Sequence, residues 1–111
     1  MGEQPAARVK HQFHVYLWDS KGNTSYQQQE CRASRFSEQE VADGLVGLII
    51  TARLLLPREA QDMRARYVYA QEDGDTQLVY DQGLPAVDQY LQQHNITVEP
   101  VEYDHLVQRV A

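Results

Sequence analysis

Between Ser37 and Pro57 the chain reads SEQEVADGLVGLIITARLLLP, and past its first turn this stretch is apolar on nearly every side. A surface helix of a small domain normally shows one apolar stripe and one charged face. At about 100° per residue, Val41, Leu45, Leu48, Ile49, Ala52, Leu55 and Leu56 fall in one arc of roughly 120°, wide enough to cover a sheet. Val46, Ile50 and Leu54, spaced four apart, form a second ridge on the opposite side, flanked only by Asp43 and Arg53. A third strip, Gly44, Gly47 and Thr51, is small enough to admit another backbone. Either the rest of the chain covers the second ridge, or the ridge is an interface. The simplest interface is a two-fold contact between copies of the helix through Val46, Gly47, Ile50 and Leu54.

A membrane span does not account for the segment. A spanning helix needs about 20 apolar residues, and the apolar run Leu45 to Leu56 is shorter and interrupted by Arg53. The expected setting is a soluble protein with no membrane contact.

The helix is well marked at both ends. Ser37 with Glu40 makes a capping box, Phe36 and Val41 are placed for a hydrophobic staple, and Pro57 stops it. Around it the pattern changes to period two. HQFHVYLWD, from His11, puts Phe13, Val15 and Leu17 on one face and His14, Tyr16 and Trp18 on the other, which predicts a strand. Asp19-Ser20-Lys21-Gly22-Asn23 supplies hairpin residues, with Gly22 and Asn23 suited to positive φ. The return strand, Thr24 to about Arg35, is rich in Gln and reads as an edge, with Cys31 and Ala33 pointing inward. MRARYVYAQ predicts a further strand, a turn at Glu72-Asp73-Gly74-Asp75, and a return through TQLVYD. A shorter helix starts at Pro85, turns Val87, Tyr90 and Leu91 inward, and ends near Asn95. ITVEPV predicts a fifth strand, and Asp104–Val110 one or two helical turns.

The expected fold is therefore α+β: a mostly antiparallel sheet of about five strands in the order β-β-α-β-β-α-β, with helices on one face. Residues 1–10 form a flexible lead-in and 11–111 a single domain, as the length suggests.

Hydrophobic residues make up 42 % of the chain, enough for a folded core. The formal net charge is −6, and nine of the ten Lys and Arg precede residue 72 while half of the sixteen acids lie from Glu72 onward. A phosphate-neutralising footprint needs clustered cations, so nucleic acid is not the expected partner. Cys31 has no internal disulfide partner, and MGEQPAARVK has no apolar signal core, so the expected compartment is the cytoplasm.

No spacing of His11, His14, His94, His105 and Cys31 matches a metal site: residues three apart on a strand point to opposite faces. The histidines read as surface or hairpin groups, and Cys31 as a small buried residue or an idle thiol. Gly44-Leu45-Val46-Gly47 lies inside a helix and is no phosphate loop. No catalytic, metal or cofactor residues are assigned, and the chain does not read as an enzyme. A binding surface is offered instead by aromatic and charged residues: Tyr16 and Trp18 on one strand, Tyr67 and Tyr69 on another, flanked by Arg64 and Arg66, with Glu72, Asp73 and Asp75 at the following turn. If the faces of the two aromatic pairs coincide opposite the helices, they form one platform; otherwise Tyr67 and Tyr69 line the core. These features point to a small protein-binding module, a homodimer of the regulator, inhibitor or immunity type that bacteria and phages use. The alternative is a small-ligand binder or minor enzyme with a pocket between sheet and helices.

Overall fold

Every second residue of strand β1 (Val9–Trp18) is buried, and this alternation organises the molecule. Residues 9–72, 77–81 and 84–99 are described by a computed structural model of the chain. Strand β2 (Thr24–Ala33) pairs antiparallel with β1 in unbroken register, from Trp18 opposite Thr24 to Val9 opposite Ala33. Strand β3 (Arg64–Glu72) pairs antiparallel along the other edge of β1. Strand β4 (Gln77–Asp81) takes up only the Val68–Glu72 part of β3. Two residues, Thr97–Val98 (β5), fill the remaining edge at Arg64 and Ala65, parallel to β3.

The strand order is thus β2-β1-β3-β4 with β5 beside β3. The expected sheet is mostly antiparallel with about five strands; the observed sheet is mixed, with three antiparallel pairings among four main strands and a short parallel one to β5. The fifth is reduced to two residues because the chain leaving helix α2 (Pro85–Gln93) meets only the short edge that β4 leaves unpaired. Thr97 N donates to Met63 O and Glu99 N to Ala65 O, each at 2.9 Å. β1 also starts two residues before the expected His11, since Val9 continues the buried alternation.

Helix α1 (Glu38–Leu54) begins as its residues dictate. The Ser37 hydroxyl accepts from Glu40 N at 3.1 Å and the Glu40 carboxylate accepts from Ser37 N at 2.8 Å. Its core face is Val41, Ala42, Leu45, Ile49 and Ala52, packed mainly on β1 and β2. Leu48 is only half-buried, and Leu55, expected in the core stripe, is exposed. The helix ends at that residue, and the chain then folds Leu56 under in its place. Gly44 touches the sheet: a Cβ there would lie 3.1 Å from Phe13 Cε2.

Helix α2 buries Val87 and Leu91 against the same core and is tied to β3 at its start. The Tyr67 hydroxyl donates to Asp88 Oδ1 at 2.7 Å and accepts from Leu84 N at 3.4 Å. Burial, then the Asp88 carboxylate, raises the Tyr67 phenol well above its ordinary range.

The first hairpin is closed by Asp19, whose carboxylate accepts from Lys21 N (3.0 Å), Asn23 N (2.9 Å) and Asn23 Nδ2 (2.9 Å). Gly22 alone in that turn takes positive φ, at 91°; Asn23, also expected to, does not. The second turn at Asp73–Asp75 and the tail Asp104–Val110 lie outside the described residues. None of the described helices is long and apolar enough to cross a membrane.

Candidate functional site

The ridge on α1 faces away from the sheet. Ile50 is 44 % and Leu54 77 % exposed, and Leu55, which continues the apolar surface past the helix end, is 66 % exposed. Gly47 is open, with nothing within 4 Å of where a Cβ would stand. Val46 differs from its neighbours: it is half-buried and packs against the core cluster. The ridge is therefore Ile50, Leu54 and Leu55 beside Gly47, with Val46 at its inner margin. The helical wheel misplaces Leu55 because an angle that holds for a continuing helix does not apply once the helix stops.

Arg53, the cation flanking this surface, is turned toward the chain that follows the helix. Its guanidinium donates to Pro57 O at 3.1 Å and Arg58 O at 3.0 Å, closing the helix end. At the other end, Gln39 Nε2 donates to Asp43 Oδ1 at 2.8 Å. The polar groups flanking the ridge are thus engaged by the helix and by the chain just past its end.

The two aromatic pairs fall on opposite sides of the sheet. Tyr67 and Tyr69 stand opposite Val15 and Phe13, facing the helices, and are buried. Tyr16 and Trp18 stand opposite Arg66 and Arg64 on the other face. There the Tyr16 and Trp18 rings stack at 5.1 Å, and the Arg66 guanidinium lies 5.2 Å from the Trp18 ring centre. Arg64 pairs with Glu99 at 3.5 Å, and Glu72 stands opposite Lys10. Asp73 and Asp75 lie outside the described residues. The face away from the helices thus gathers Tyr16, Trp18, Arg64 and Arg66 at one end, with Glu72 at the far end of β3 and without the buried tyrosines.

His11 corrects the expectation of surface histidines. It is fully buried, in phase with Phe13, Val15 and Leu17, a placement the period-two pattern itself contained. Its Nδ1 lies 2.6 Å from the Tyr69 hydroxyl, its ring packs 4.3 Å from Phe36, and its Nε2 has no hydrogen-bond partner. His14, on the opposite face, bonds the Tyr26 hydroxyl at 2.6 Å. Cys31 stands opposite His11 on β2 and is half-buried; burial, then the neighbouring Glu30, raises its thiol above the usual range. A protonated thiol is a poor nucleophile. Among the described residues no three His, Cys, Asp or Glu side chains are grouped to hold a metal ion.

Comparison with protein-family models, with curated proteins and with solved structures finds no match to this chain.

Proposed function

We propose that this chain is a protein-binding module whose contact surface is the α1 ridge, and that it assembles with copies of itself through that ridge. In this reading it works as a regulator or inhibitor does, by contact in a reducing, cytoplasmic compartment rather than by catalysis. The observation that carries the reading is the exposure of Ile50 and Leu54 on one face of α1, with Leu55 exposed at its C-cap. A solvated helix face normally carries charge there, and here the neighbouring Asp43 bonds Gln39 of the helix and Arg53 bonds the carbonyls just past its end.

Fully burying one such side chain is worth roughly 1.5–3 kcal/mol. A two-fold contact shields the three from each copy, and association costs about 4–15 kcal/mol. The two quantities are of similar size, so the ridge needs contacts around it to hold a pair together.

The test is solution mass by light scattering. The wild-type chain is expected as a multiple of one chain, and Ile50→Lys with Leu54→Glu is expected to halve that mass with the circular dichroism spectrum unchanged. A monomeric wild type, an unchanged mass in the variant, or loss of its native spectrum overturns the reading.

A further inference from the structure

A second surface suited to a copy of this chain lies at the edge of the sheet. We infer that β2 pairs antiparallel with β2 of another copy, making one continuous sheet across the seam. The inference rests on the ridge reading for the existence of an assembly, and it names a different surface from the ridge.

β2 ends the strand order, and among the described residues no strand pairs with its outer side. Edge strands are ordinarily blunted by proline, by a bulge, by brevity or by charged side chains, lysine above all. β2 has no proline, bulge or lysine and is not short; its charges are Glu30, which pairs with Lys10 of β1 at 3.3 Å, and Arg32. It is ten residues long, its register with β1 is unbroken, and its sequence TSYQQQECRA holds no proline and no lysine. The strand's own geometry also makes it self-complementary. Asp19 N donates to Asn23 O at 3.0 Å, which fixes the phase of the ladder. Alternate residues exchange both bonds with the partner strand, so Ser25, Gln27, Gln29 and Cys31 bond β1. The series that includes Thr24, Gln28 and Glu30 directs its N–H and C=O groups to the outer edge.

Antiparallel pairing of two identical edges must bring residues of the outward series together. The register with Gln29 on the two-fold axis does this along nine residues, 25–33. It sets Gln28 opposite Glu30 of the second copy, so an amide faces a carboxylate. Moving one step along the outward series, to put Glu30 on the axis, would instead oppose two carboxylates. A two-fold axis normal to the sheet keeps both α1 helices on the same side. Their ridges then point the same way, and the ridge contact can close two such pairs into an assembly of four with two perpendicular kinds of seam.

Two variants and a cross-link test this in the full chain. Gln28→Pro removes an outward N–H that β1 does not use. It is expected to halve the mass seen by light scattering from four chains to two, with the spectrum retained. Gln29→Cys in a Cys31→Ser background places one thiol on the axis in a non-hydrogen-bonded pair. There Cα atoms are about 4.5 Å apart, within disulfide span. Mild oxidation is expected to cross-link it in pairs, and to do so also when Ile50→Lys and Leu54→Glu are added. A wild type of two chains that the ridge variant makes monomeric, with no cross-link at residue 29, overturns the edge contact and leaves the ridge standing. A wild type that cross-links at residue 29 and ignores the ridge variant overturns the ridge and leaves the edge. A monomeric wild type overturns both.

Discussion

Two glycines three residues apart in α1 give a matched test of how the helix sits on the sheet. A glycine inside a helix is about 0.8–1.0 kcal/mol less favourable than alanine, through the greater freedom the unfolded chain loses. Gly47 is exposed and has nothing within 4 Å of the place a methyl group would take, so Gly47→Ala realises this gain in full. For a chain of 111 residues, 1 kcal/mol corresponds to a rise in Tm of about 4 °C. At Gly44 the same methyl would lie 3.1 Å from Phe13 Cε2 and 3.5 Å from Cδ2. The Phe13 ring cannot move aside freely, being buried with Tyr69 at 5.2 Å and Phe36 at 6.0 Å between ring centres. Overpacking of a core by one methyl costs typically 1–3 kcal/mol, so the propensity gain is cancelled or reversed. Both alanines gain the same propensity, so Gly44→Ala is expected to lie below Gly47→Ala by the overpacking cost alone, about 1–3 kcal/mol. Urea denaturation in the Ile50→Lys, Leu54→Glu, Gln28→Pro background keeps assembly out of the comparison, and the midpoint at constant slope reports the difference. Equal stabilisation by the two alanines would refute the argument, because it would mean that α1 does not press on Phe13.

Tyr67→Phe removes a hydroxyl that holds Asp88 and Leu84 N, leaving both without that partner. A loss of about 1–3 kcal/mol is expected in denaturant titration, and a loss below the error of the method would show that α2 is held by Val87 and Leu91 alone. Asp19 supplies a pH dependence: the Asn23 side chain, together with the backbone of Asn23 and Lys21, holds its carboxyl below the usual carboxylate range. Its contribution is complete above the unfolded value of about 3.9 and is lost as pH falls through the lower folded value. Asp19→Asn should therefore lower stability at neutral pH and narrow its deficit to wild type on acidification. A deficit that stays constant down to pH 2 would contradict the assignment.

Local rules suffice where one element decides the outcome. Ser37, Glu40 and Pro57 mark the ends of α1 because caps and proline act within a turn of themselves. β1 shows its two faces because a strand side chain has only two directions to choose between. The features that sequence reasoning misplaces depend on contacts between elements. Residue type makes His11 a surface group, although its phase with Phe13 places it beneath Phe36. The angle that puts Leu55 in the core lapses at the helix cap. The length of β5 follows from how much of the β3 edge β4 leaves uncovered, a length no local pattern encodes. Likewise nothing in VYLW and RYVY taken separately fixes whether their aromatics share a face; the register Val15 opposite Tyr67 does.

The two exposed surfaces differ in how far their groups are already satisfied, and that difference favours the helix as the contact. On the open sheet face the large side chains serve one another: Tyr16 stacks on Trp18, Arg66 caps the Trp18 ring, and Arg64 bonds Glu99. A partner docking there must first compete with contacts the folded chain already makes, and gains only the remainder. On α1 no such competition exists, because an aliphatic side chain in water has no partner to give up and gains by burial alone. Ile50, Leu54 and Leu55 together with the open backbone at Gly47 leave room for another chain to approach closely. The same reasoning applies to the β2 edge, whose outward amides exchange water for an equivalent strand and so add direction more than energy. In the proposed assembly, apolar burial at the ridge would drive association and the edge would set which way the copies face. Removing both, with Ile50→Lys, Leu54→Glu and Gln28→Pro together, should yield a folded single chain, and an assembly that persists in that triple variant would show that neither surface holds it.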